Sequence, residues 1–94
     1  MYARVVRFTD VDPERIAAIA ARIKEDEGPP PGVESTGMKL IYDESQSTAV
    51  FIGFFESEEK MSKSAEVFEQ MDASETPGTR ASVDMGEVKV EADA

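Results

Sequence analysis

The sequence contains no cysteine, histidine, tryptophan or asparagine among its 94 residues. Without cysteine the chain forms no disulfide and offers no thiolate as a nucleophile or metal ligand. Without histidine it lacks the side chain that most often serves as a general base near neutral pH. Acid–base chemistry would therefore rest on aspartate, glutamate, lysine or tyrosine.

Basic residues are also scarce, because 10 lysines and arginines face 20 acidic residues and the formal net charge is −10. Binding to nucleic-acid phosphates needs clustered lysine and arginine, and anionic membrane surfaces attract basic segments. The composition therefore predicts neither a nucleic acid nor a membrane surface as a partner. Its simplest interpretation is solubility.

Long apolar runs are missing as well. No stretch approaches the roughly 20 apolar residues of a membrane-spanning helix. The chain opens with a strand-like pattern at Met1 to Arg4 rather than with an apolar signal segment. Together with the absence of cysteine, this predicts a cytoplasmic protein, and the length predicts one domain over residues 1–94.

The most apolar stretch is Thr48–Phe55, TAVFIGFF, whose β-branched and aromatic residues favour a strand. Alternate residues point to opposite faces, and both faces of this strand are apolar. Helices can cover one face, and a second copy of the chain is the simplest cover for the other, since two-fold dimers are the commonest oligomers. The alternative is a central strand in a monomeric sandwich.

The flanking residues predict five further elements. A strand over 2–8 precedes a helix capped by Asp12, which stops near Asp26 before the proline-glycine connector 28–32. A strand over 36–43 forms a hairpin with the central strand. A helix capped by Ser57 ends by about Asp72, and a polar loop over 72–79 leads to a strand over 80–90, with a β-bulge predicted at Gly86.

The order β-α-β-β-α-β favours an α+β, ferredoxin-like fold. Two right-handed β-α-β units then interleave into one four-stranded antiparallel sheet of order 4-1-3-2, with two helices on one face. The two-sided apolarity of the third strand fits a central position in that sheet.

Four segments of the chain are similar to a known superfamily: residues 1–5, 12–16, 37–43 and 55–61, with Ser64 following. They resemble the dimeric α/β-barrel proteins, and more closely the small proteins grouped with the antibiotic-biosynthesis-type monooxygenases. The resemblance implies a homodimer in which two helix-free sheet faces form a barrel, with a ligand held between helices and sheet and no cofactor. The haem-degrading branch is nearly excluded, because it uses histidine, tryptophan and asparagine.

Two arginines, Arg4 and Arg7, are unusual in a predicted central strand. A buried arginine must be paired, and its planar fork suits a carboxylate ligand. The structural alternative is an ion pair with Asp84 or with a carboxylate of the dimer partner. No metal site is predicted, because the acidic residues near Asp12 do not match a calcium loop.

Several apolar positions are candidates to line a pocket, although core packing explains each of them too. Phe55 stands where similar sequences often have tryptophan, and Gly53 leaves room for a ring, a helix or a small ligand. Met61 and Phe68 recur at helical spacing on the second helix. The full set of candidate pocket residues is Arg4, Arg7, Tyr42, Gly53, Phe55, Met61, Phe68 and Asp84.

Two functions stay open at this point. The first is a cofactor-independent monooxygenase acting on an aromatic or quinol-like metabolite. The second is a non-catalytic ligand-binding or stress-related accessory protein, which the missing histidine, tryptophan and asparagine favour slightly. In both, the expected partners are a second copy of the chain and a small apolar or aromatic ligand.

Overall fold

The computed structural model describes residues 1–25, 32–70 and 76–93. Its elements follow the predicted order: β1 (Tyr2–Thr9), α1 (Pro13–Glu25), β2 (Gly37–Asp43), β3 (Thr48–Phe55), α2 (Glu58–Glu69) and β4 (Thr79–Glu87). The predicted end of the first helix at Asp26, most of the proline-glycine connector and the predicted end of the second helix at Asp72 lie outside the described residues.

The four strands form one antiparallel sheet in the order β2-β3-β1-β4. Counted from the β4 edge the order reads 4-1-3-2, so β1 and β3 are the two central strands. The hairpin of β2 and β3 is present, with Gly37 opposite Phe54 and Asp43 opposite Thr48. The molecule is therefore an α+β protein with an open four-stranded sheet.

Both helices begin at the predicted caps. The carboxylate of Asp12 accepts a hydrogen bond from the backbone N–H of Glu14 at 2.9 Å. The hydroxyl of Ser57 accepts one from the N–H of Lys60 at 3.2 Å. These bonds satisfy backbone donors that a helix start otherwise leaves free. Among the described residues, neither helix is long and apolar enough to cross a membrane.

The core lies between the helices and one face of the sheet, in two clusters of buried residues. Ile16 of α1 joins the first cluster, and Met61 of α2 joins the second. The first comprises Val6, Phe8, Val11, Ile16 and Ala49, and the second comprises Val33, Phe55 and Met61. The strand members of both clusters lie on the same face, because Val6 and Phe8 alternate in step with Tyr2, which is opposite Phe55. The two helices consequently share that face.

The opposite face, called the open face below, is apolar at its centre. It carries Val5, Ile41, Val50, Ile52 and Phe54, which are adjacent across β1, β2 and β3. Ile41 is 51% exposed and the others are half-buried. None of the described helices packs on it. Its charged residues are Arg7, Lys39, Asp43 and Asp84.

The bulge predicted at Gly86 is wrong in position. Gly86 pairs regularly with Ala3, whereas the register shifts where Arg7 pairs with Ser82 and Phe8 pairs with Arg80. The extra residue is therefore Ala81. Arg80 and Ser82 are two residues apart, so regular alternation would place both on the open face; the bulge turns Arg80 to the helix-bearing face instead.

The turn before β4 is packed more tightly than its polar sequence indicates. Pro77 is fully buried, and its carbonyl accepts a hydrogen bond from the N–H of Asp12 at 3.1 Å. A Cβ atom on Gly78 would lie 2.4 Å from the carbonyl oxygen of Thr9. Only glycine fits there, so this turn closes against the junction of β1 and α1.

Candidate functional site

Arg4 lies on the helix-bearing face of β1, and only 7% of its surface is exposed. Strand alternation places it on the same face as Val6 and Phe8. Its neighbours across the strands are Gly53 on β3 and Met85 on β4. A charged side chain therefore stands within an otherwise apolar row, where burial of an unpaired charge is costly.

The guanidinium group of Arg4 has few partners for its depth. The ring of Phe68 covers it, with 4.9 Å between the guanidinium carbon and the ring centroid. Among the described residues the carboxylate that reaches it is that of Glu69, whose Oε1 is 3.6 Å from Nη2, which is longer than a hydrogen bond. The Nε atom is buried and has no hydrogen-bond partner within residues 1–25, 32–70 and 76–93. The guanidinium group is thus stacked on the Phe68 ring and attracted by the Glu69 carboxylate, but its hydrogen bonds to the described residues are incomplete.

Glu69 bonds mainly to Arg80. Nη1 and Nη2 of Arg80 donate to the two carboxylate oxygens of Glu69 at 2.7 and 3.2 Å. Glu69 is 53% exposed and Arg80 is 42% exposed, so this pair lies at the surface above Arg4. Arg4 and Arg80 thus face the same carboxylate, that of Glu69. This region is locally basic, although the whole chain has a net charge of −10.

The electrostatics follow from this arrangement. The hydrogen bonds from Arg80 lower the pKa of Glu69, and the positive charge of Arg4 acts in the same direction. Burial lowers the pKa of Arg4, nearby Arg80 adds to that effect, and Glu69 opposes it. Glu69 is therefore held as a carboxylate, and Arg4 is a cation that its surroundings do not fully stabilise.

Gly53 does not leave an empty space. A Cβ atom there would lie 3.3 Å from the ring of Phe55, so that ring occupies the room beside the glycine. Phe55 is 1% exposed and packs with Val33 and Met61. Its environment is that of a core residue. Tyr2 and Phe68 pack against this cluster. Phe68 connects it with the group called the Arg4 corner below, which comprises Arg4, Phe68, Glu69, Arg80 and Met85.

The structure divides the eight predicted pocket residues among three places. Arg4 and Phe68 are in contact, and Gly53, Phe55 and Met61 form the layer beside them. Tyr42 packs on the other core cluster. Arg7 and Asp84 lie on the open face. Of the predicted alternatives, the ion pair of Arg4 with Asp84 is therefore wrong, because the two side chains lie on opposite sides of the sheet. Among the described residues, Glu69 is the carboxylate that reaches Arg4.

Three residues of this corner, Glu69, Arg80 and Met85, were not among the sequence candidates. One signal pointed to Glu69: it is an acidic residue in the last turn of α2, where the helix dipole disfavours a negative charge and no basic residue is present. Arg80 could not be found in this way, because its direction depends on the bulge at Ala81.

One depression of about 280 Å³ is separate from this corner. It lies beside the open face, lined by Ala3, Val5, Asp84 and residues 85–88. Within residues 1–25, 32–70 and 76–93, no three acidic side chains are arranged so that they could hold a metal ion.

A comparison of the chain with protein-family models, with curated proteins and with solved structures finds no match. The resemblance to the dimeric α/β-barrel proteins stays a prediction from the residues.

Proposed function

We propose that this chain is a homodimeric small-molecule-binding protein of ferredoxin-like protomers, of the dimeric α/β-barrel type. The α+β architecture, with both helices on one face of a four-stranded antiparallel sheet, supports the protomer fold. The open face supports the dimer, and the Arg4 corner supports the binding of a ligand.

The open face suits a second copy of the chain. Val5, Ile52 and Phe54 form a continuous apolar patch across the two central strands. Among the described strand residues the face carries two basic and two acidic ones, namely Arg7, Lys39, Asp43 and Asp84, so this part of it is neutral although the whole chain carries −10. Two such faces can approach without the repulsion that the rest of the surface would produce.

The single observation that carries the binding function is the buried Nε of Arg4. Nearly all buried polar groups in proteins have a hydrogen-bond partner, so an unpaired donor on a buried cation indicates a group that a ligand completes. The ligand site is then the corner between α2 and the sheet, next to Phe68. A small apolar or aromatic metabolite suits those surroundings.

Binding without turnover is the version that the geometry favours. The carboxylate that reaches Arg4 in the described part of the chain is Glu69, and its lowered pKa makes it a weak proton acceptor. The second candidate is a cofactor-independent monooxygenase acting on an aromatic or quinol-like metabolite, which is supported by the residue resemblance alone.

Native mass spectrometry of the purified protein tests this proposal. We expect a dimer, with a fraction carrying additional mass from a bound small molecule. A bare monomer would contradict both the interface and the function built on it. Oxygen consumption with a panel of quinols then separates the two versions, because binding without turnover gives thermal stabilisation and no oxygen uptake.

A further inference from the structure

We infer that Arg4 binds the carboxylate group of a small aromatic acid, which takes the place of the Glu69 carboxylate beside it. This inference rests on the proposed small-molecule-binding function and names the chemical class of the ligand. The helix-facing side of the sheet, rather than the open face, is then the specificity-determining surface.

Arg4 has more hydrogen-bond donors than the described residues around it use. A guanidinium carries five N–H donors in a fixed planar fork, and a carboxylate accepts two of them side by side. The contact with Glu69 is 3.6 Å long, and no described residue accepts a hydrogen bond from Nε. A bidentate carboxylate on the Nε edge would supply the acceptor that the described part of the chain does not.

The surroundings of the guanidinium favour an acid with an apolar body. Phe68 covers one flat side of the guanidinium, so an anion would bind at the edge, where the planar fork presents its N–H donors. Met85 is opposite Arg4 on β4, on the same side of the sheet, and is 51% exposed. An exposed methionine beside a buried cation offers an adaptable apolar wall for a planar ring. A buried cation next to an apolar wall favours a ligand that has both a carboxylate group and an aromatic ring.

The Glu69 carboxylate can move away from Arg4. It is half-exposed, and its hydrogen bonds go to Arg80 rather than to Arg4. Moving its carboxylate towards Arg80 or into water breaks no hydrogen bond to Arg4. The incoming acid meets two cations, which offsets the repulsion from a chain of net charge −10.

The test uses benzoate as the probe, with benzyl alcohol as its neutral analogue and inorganic phosphate as a non-aromatic anion, all at constant ionic strength and pH 7. The chain has only five arginines, at positions 4, 7, 15, 22 and 80, so their Nε–Hε signals in a nitrogen-15 correlation spectrum can be resolved. Arg4→Lys identifies the signal of Arg4 by removing it. We expect benzoate, and not benzyl alcohol, to shift that signal in a saturable way.

Two variants give the expected changes in affinity. Arg4→Lys should weaken benzoate binding about tenfold, because an ammonium replaces a bidentate fork. Glu69→Gln should strengthen it about two- to fivefold, because it removes a competing surface carboxylate. The control is Glu59→Gln, which removes an equal charge from another ion pair, with Lys63, about 15 Å away along α2. It should leave the affinity unchanged.

Each other outcome overturns the inference. If benzoate and benzyl alcohol bind equally well and Arg4→Lys has no effect, the ligand class is wrong while small-molecule binding itself stands. If phosphate binds at Arg4 and benzoate does not, the site is an anion site of a different class. If Glu69→Gln weakens benzoate binding, Glu69 supports the ligand instead of competing with it.

Discussion

Glu69 and Arg80 are joined by two hydrogen bonds, of 2.7 and 3.2 Å, that connect the last residue of α2 to the beginning of β4. The same carboxylate lies 3.6 Å from Arg4 on β1. One acidic residue thus faces two arginines from neighbouring strands. The relationship depends on the bulge at Ala81, which turns Arg80 towards the helices.

The first prediction concerns the response of this pair to acid. The pKa of Glu69 is lowered in the folded protein, chiefly by its hydrogen bonds with Arg80, so its contribution to stability is present above the unfolded-state pKa of about 4.3. That contribution is lost as the pH falls through the lower, folded-state pKa. Carboxyl carbon-13 titration should show Glu69 titrating below its ordinary range, and Arg80→Ala should raise its pKa. An unchanged titration in Arg80→Ala would contradict the hydrogen-bonded geometry.

The second prediction separates the function of Arg4 from its effect on stability. Arg4→Met replaces an incompletely paired buried cation by an apolar side chain of similar length. Replacing buried charges by apolar groups is often neutral or stabilising, so we expect the free energy of unfolding to fall by no more than about 1 kcal/mol. Urea denaturation measures this change, and benzoate binding to the same variant should be lost. A loss of several kcal/mol would show that Arg4 has a structural role instead.

The third prediction concerns the tight turn before β4. Gly78→Ala places a methyl group 2.4 Å from the carbonyl oxygen of Thr9 and 2.9 Å from that of Asp10, which are backbone atoms that cannot easily move. We expect a destabilisation of about 1–3 kcal/mol in urea denaturation. Gly86→Ala is the matched control, because nothing lies within 4 Å of its new Cβ atom. Equal stabilities of the two variants would show that the turn accommodates a methyl group at Gly78.

The fourth prediction concerns the proposed dimer. The structure places Ile52 on the open face and Phe51 on the helix-bearing face, where its ring packs edge-on against Phe8 at 5.5 Å. Ile52→Glu should therefore give a folded monomer, whereas Phe51→Glu should disrupt folding. Sedimentation combined with circular dichroism distinguishes the two results.

A control for this experiment adds the same charge elsewhere. Ser62→Glu lies at an exposed position on α2 and should remain dimeric and folded. A dimer that persists in Ile52→Glu, with unchanged stability, would show that the open face is not the interface.

The sequence predicted the elements well because their signals are local. Asp12 and Ser57 are caps by chemistry alone, and the apolar run of β3 has the predicted bounds. The strand pairing followed from the order of the elements.

The Arg4 corner could be predicted only in part. Arg4 and Arg7 look alike in the sequence, but strand alternation buries one with the helices and leaves the other on the open face. Glu69 pairs with Arg80, eleven residues further on, only because of the register shift at Ala81, for which Gly86 was the misleading signal. A register shift between distant residues leaves no sign in the local sequence. Gly86 was misleading because a glycine in an exposed edge strand can pair regularly, without a bulge.

The bulge at Ala81 decides which surface of the sheet receives Arg80. Arg80 and Ser82 are two residues apart, so regular alternation would place both on the open face, but the extra residue places Arg80 opposite Phe8 on the helix-bearing face. Deletion of Ala81 would make Arg80 and Ser82 neighbours in sequence, and Arg80 would stay on the helix-bearing face. A single residue left out of the strand pairing thus supplies a cation next to Arg4 and keeps that cation off the neutral open face.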